Sequence, residues 1–99
     1  MYRAEATAVD AEDMLAELER LAKRMGVTVR YEATQGRAGR CLLHGRPVAL
    51  IEARLPVAAK VEALATVLAD LDHDQFFVPE SVRDLLDRAR ERGPTFPEP

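Results

Sequence analysis

The chain is poor in the residues that carry most site chemistry: it has one cysteine, no tryptophan and two histidines in 99 residues. A lone Cys41 excludes an internal disulfide framework. Cys41 with His44 and His73 could complete a tetrahedral zinc site only by recruiting carboxylates, and no spacing in the chain supplies them. No stretch approaches the roughly eighteen consecutive apolar residues of a membrane span, and Met1-Tyr2-Arg3-Ala4-Glu5 lacks the apolar core of a secretory signal. These absences lead us to expect a cytoplasmic chain with a reduced thiol, no cofactor and no membrane partner. Within an apolar strand, Cys41 reads as a buried, inert thiol.

What is present describes one small globular domain. Hydrophobic residues make up 47% of the chain and charged residues 31%, which is ordinary for a folded protein of this size and leaves no room for a second core. We place the domain at residues 1–93, with 94–99 a frayed tail unless Phe96 docks. Met14, Leu15, Leu18, Leu21, Ala22 and Met25 share one helical face and predict a first helix over about 10–25, with Asp10 as its cap and Gly26 as its stop. Residues 1–9 either extend that helix or form a leading strand. After Gly26 the period changes to two, with Val27, Val29 and Tyr31 alternating with Thr28, Arg30 and Glu32. Arg40 to His44 and Pro47 to Ala53 supply two further strands joined at Gly45. Pro56 opens a helix whose stripe is Val57, Val61, Leu64, Leu68 and Leu71, and Pro79 opens another with Val82, Leu85, Leu86 and Ala89 inward. The expected fold is α+β: a helix, a three-stranded antiparallel meander, then two helices packed on the sheet. Consecutive apolar residues at Leu42-Leu43 and Val48-Ala49-Leu50-Ile51 imply cover on both sheet faces, by a helix on one and a partner chain on the other.

Candidate chemistry fails on spacing. Cys41 and His44 are three apart, which on one strand sends them to opposite faces. His44 reads as a turn residue and His73 as a helix-ending cap. Asp70, Asp72 and Asp74 alternate as at the start of a calcium loop, but Gln75 stands where that loop needs glycine and Ser81 where it needs a bidentate glutamate. Gly36 and Gly39 precede a strand rather than a helix, so they form a turn and not a phosphate cradle. Glu52 and Glu62 read as solvating carboxylates. We therefore assign no catalytic, cofactor or metal residue.

The net charge of −3 is unevenly spread: residues 1–26 hold four basic and six acidic side chains, 27–60 six and two, and 61–99 four and nine. The basic middle reads first as complementing the acidic ends within the molecule. Its alternative is a nucleic-acid surface built on Arg37, Arg40 and Arg46, together with Arg30, Arg54 and Lys60.

The order of elements, with His44-Gly45-Arg46-Pro47-Val48-Ala49-Leu50-Ile51 followed by Arg54-Leu55-Pro56 and a helix, resembles the N-terminal half of the ImmA/IrrE group of small zinc metalloproteases over roughly residues 10–72. In that group the helix bears His-Glu-x-x-His. The matching stretch here is Val61-Glu62-Ala63-Leu64-Ala65, with Glu62 at the general-base position and Val61 and Ala65 in place of the two metal-binding histidines. The resemblance implies a degenerate, metal-free relative whose helix packs the core. The leading functional expectation is a non-catalytic protein-interaction module, homodimeric or docked on a larger protein, using Arg37, Arg40, Arg46, Phe76 and Phe77. A nucleic-acid-binding protein and a metallopeptidase-like remnant are the alternatives.

Overall fold

A computed structural model describes residues 3–35, 38–71 and 75–92, with side chains for 11–35, 38–71 and 75–91. Helix α1 (Arg3–Met25) starts well before Asp10, because the segment rich in Ala4, Ala6, Ala8 and Ala11 continues the helix; Asp10 lies inside it and does not cap it. Its end follows the glycine signal. Gly26 has φ +81°, its N–H donates to the Lys23 carbonyl (3.1 Å), and the Val27 N–H donates to the Ala22 carbonyl (2.8 Å). This pair of bonds is the Schellman arrangement. Ala22 and Val27, the residues it brings together, both join the core.

Strands β1 (Thr28–Glu32), β2 (Gly39–Leu43) and β3 (Arg46–Glu52) form one sheet in the order β1-β3-β2. The expected antiparallel meander is corrected here. β2 and β3 do form an antiparallel hairpin, whose two-residue turn, His44 (φ 54°) and Gly45 (φ 78°), has the positive φ pair of a type I′ turn. β1, however, runs parallel to β3 on its other side. Burial explains the choice: β3 buries Val48, Ala49 and Ile51, whereas β2 is exposed at four of its five positions, so the most apolar strand takes the centre.

Helix α2 (Val57–Ala69) begins after Pro56, which occupies the cap position with φ −61° and ψ 160°, and closes at Asp70. Helix α3 (Glu80–Arg92) places Val82, Leu85, Leu86 and Ala89 inward as expected. It packs on α2 and α1 and makes no contact with the sheet, so the expectation of two helices on the sheet holds for α2 alone. α1 contributes the second helical cover through β1. In the connector before α3, Val78 is buried and Phe76 packs against the core, while Phe77 is left outside.

Two substitutions test this framework by urea unfolding. Leu68→Ala, at a fully buried α2 position, is expected to cost about 2–5 kcal/mol. Gly26→Ala meets no neighbour within 4 Å and is expected to cost about 1 kcal/mol, from the left-handed backbone alone. Loss of less than about 0.5 kcal/mol at Leu68 would contradict its central placement.

Candidate protein-interaction surface

Alternation along the strands divides the sheet into two unlike faces. Ala49 and Ile51 of β3, with Val27 and Val29 at and beside the start of β1, share a core cluster with Leu18, Leu21, Leu64 and Leu68 of α1 and α2. Val48 and Leu50 lie between these positions on β3 and do not belong to that cluster, which puts them on the other face. There the register lines up Thr28, Val48 and Cys41 in one row and Arg30, Leu50 and Gly39 in the next, with Leu43 opposite Arg46. α1 and α3 pack on α2, and on this outer face Val48 is buried, Leu50 half-buried and Cys41 exposed. Cys41 is exposed, against the expectation of a buried thiol. Its strand is apolar in sequence, but only Gly39 of its five residues is buried.

β2 adds an open edge to the open face. Among the described residues it pairs with β3 alone, and its leucines are the chief apolar exposures of the sheet: Leu42 retains 71% and Leu43 46% of their accessible surface. Beside the strand runs a groove of about 460 Å³ lined by Arg40, Cys41, Leu42, Pro47 and Leu71. Arg40 reaches from β2 to Asp70 at the end of α2 (3.1 Å), tying the edge strand to the helical layer.

The residues expected to form an interaction site are not brought together as one patch. Arg40 is held by Asp70, whereas Arg46 lines a different groove, beside β1, with Glu19, Lys23 and Tyr31. Phe76 is half-buried against the core and Phe77 is 82% exposed. Arg37 lies outside the described residues, as does His73. Leu42 and Leu43, read from the sequence as an apolar excess needing cover on both faces, were not among the expected site residues, and the structure exposes both.

The polar groups of the sheet are occupied with one another. Arg30 pairs with Glu32 (2.8 Å) and Arg54 with Glu52 (3.4 Å), and Lys60 stands 5.3 Å from the centre of the Tyr31 ring. Burial, then the hydrogen bond to Glu19 and its charge, raise the Tyr31 phenol far above its ordinary value. Glu52 works as a latch. One of its oxygens accepts both the backbone N–H and the hydroxyl of Thr34 (3.0 Å each), and the Ala53 N–H donates to the Glu32 carbonyl (3.0 Å), so the chain leaving β1 is fastened to the end of β3. The backbone bond, then the hydroxyl bond, from Thr34 pull the Glu52 carboxyl down to about 2. No group of three or more His, Cys, Asp or Glu capable of holding a metal occurs among the described residues. At the positions matching His-Glu-x-x-His, Val61 and Ala65 are buried in α2 and Glu62 is exposed. No known protein family, curated protein or solved structure matches the chain.

A lowered carboxyl pKa in the folded state means that the latch is fully in force above about pH 4.5, the ordinary value, and is lost as the pH falls toward 2. Thr34→Val removes the hydroxyl and keeps the backbone N–H. In an NMR titration of the Glu52 side-chain carboxyl carbon, the midpoint should rise from about 2 toward, without reaching, 4.5. An unchanged midpoint would show that the hydroxyl contributes nothing.

Proposed function

We propose that the protein is a non-catalytic interaction module that presents the open edge of β2, with the apolar surface around it, to another polypeptide. The observation that carries this reading is the 71% exposure of Leu42 on a strand with an unpaired edge. Unpaired backbone groups flanked by exposed leucines are a template for strand addition, and soluble proteins ordinarily blunt such edges with charge or proline, or cover them. β2 carries a single charge, Arg40, and that charge is engaged by Asp70. Leu43 and Cys41, exposed on the outer face, enlarge the surface available next to the edge.

The charge distribution supports protein over nucleic acid as the partner. Of the six basic residues in 27–60, Arg30, Arg40 and Arg54 are matched by carboxylates within the molecule, and Arg40 and Arg46 serve different grooves. α2 acts as packing in the same reading: Val61 and Ala65 face the core where the resembled metalloprotease helix would present ligands.

A Leu42→Lys/Leu43→Lys variant tests the proposal. Both positions are exposed, so the fold should survive, as judged by an unchanged far-ultraviolet circular dichroism spectrum. The wild-type chain is expected either to gain mass with concentration in light scattering or to retain a protein partner from cell lysate, and the variant to do neither. A wild-type chain that stays monomeric at high micromolar concentration and retains nothing more than the variant does would overturn the reading.

A further inference from the structure

We infer that the groove between α1 and the free edge of β1 takes an extended peptide as an added strand, with a carboxylate of that peptide held between Lys23 and Arg46. The site is separate from the β2 edge and does not depend on it. Among the described residues β1 pairs with β3 alone, so every second residue of Thr28–Glu32 directs its N–H and C=O away from the sheet. A groove of about 460 Å³ lies against that edge. Thr28 and Val29 both line it, and since neighbouring strand residues point to opposite faces, a space that touches both sits beside the backbone of the strand. Glu19 and Lys23, about one turn apart on α1, form the opposite wall.

The two ends of the groove differ in charge. At one end the Tyr31 hydroxyl donates to Glu19 and Lys60 stands 5.3 Å from the centre of the Tyr31 ring, so the Glu19 carboxylate is engaged. At the other end Lys23 lies in the last turn of α1, and the register that sets Thr28 beside Val48 carries Arg46 level with Gly26. The side chains of Lys23 and Arg46 form no ion pair or hydrogen bond with a described residue, whereas Arg20, Arg30, Arg40 and Arg54 each have a carboxylate. The nearby carbonyls that close α1, those of Ala22 and Lys23, are occupied by the Val27 and Gly26 N–H groups, which blunts the repulsion a helix C-terminus offers an anion. Two unpaired cations at one end of a groove suit a carboxylate. The stretch from Thr28 to Tyr31 spans about 10 Å, the length of three extended residues. Backbone pairing along β1 supplies affinity, and the cations fix which end of the peptide lies beside Gly26. A nucleic acid suits the groove less, because its affinity rests on a run of phosphate contacts and this end offers two cations.

Peptide titration of the full chain, followed by fluorescence anisotropy and by backbone amide NMR shifts, tests the inference. One probe is a labelled hexapeptide of alternating valine and glutamate with an amidated C-terminus; a second alternates valine and glutamine and keeps its terminal carboxylate. At least one should bind with a Kd on the order of 100 μM, and which one binds distinguishes a side-chain carboxylate from a terminal one. Lys23→Glu and Arg46→Glu, both at exposed positions, should each weaken that binding at least about fivefold, and Lys23→Arg should retain it. Arg24→Glu, the same change of charge at a neighbour that does not line the groove, should weaken it by less than about twofold. The amide spectrum shows that each variant is folded, and the largest peptide-induced shifts should fall on residues 28–31. Saturation by neither peptide at about 1 mM would overturn the inference. So would equal binding of the glutamine peptide with its terminus amidated, shifts centred on β2, or an oligothymidine that binds through Lys23 and Arg46 more tightly than either peptide.

Discussion

Burial of α2 is the constraint on which the rest of the structure depends. Leu64, Ala65, Val67 and Leu68 are fully inaccessible and Val61, Thr66 and Ala69 nearly so, which leaves this helix with almost no polar face. A helix apolar on nearly all sides must be surrounded. α1 supplies one wall, α3 another and β3 the floor, and Thr66 satisfies its hydroxyl inside the helix by donating to the Glu62 carbonyl (2.8 Å). No buried side-chain nitrogen or oxygen is left without a partner among the described residues.

The exposure of Cys41, Leu42 and Leu43 follows from that arrangement. The described residues form three helices, and enclosing α2 places α1 and α3 on the same side of the sheet as α2. The outer face and the β2 edge are what remains once the core has taken its cover. Their apolar residues are thus set by which elements reach them as well as by pattern. The polar links serve the same division. The Glu52 latch fastens the ends of β1 and β3 to each other, and the Arg40–Asp70 pair fastens the edge strand to the helical side.

Much of this was legible in advance where the signal is local. The α1 stop at Gly26, the hairpin at His44-Gly45 and the inward positions of α3 each depend on a few neighbouring residues with a definite backbone or periodic preference. The early start of α1 was less legible, since an alanine-rich segment with alternating polar residues suits a helix or a strand by pattern and is decided by propensity. The strand order was not legible. Hairpin signals report which strands are joined by a tight turn, and β1 has no such turn to β2, so its choice of neighbour depends on which strand can be buried at the centre.

The candidate surface divides along the same line. From the order of its residues alone, the chain determined an α+β composition and an excess of apolar residues on two strands, because these depend on residue type and spacing within one element. Tertiary structure alone decided that β3 is central and β2 is the edge, that Cys41, Leu42 and Leu43 are exposed, and that Arg40 and Arg46 serve separate grooves. The physical reason is competition for cover: whether an apolar residue becomes core or contact surface depends on which other elements reach it, and α2, the most apolar helix, claimed all of them.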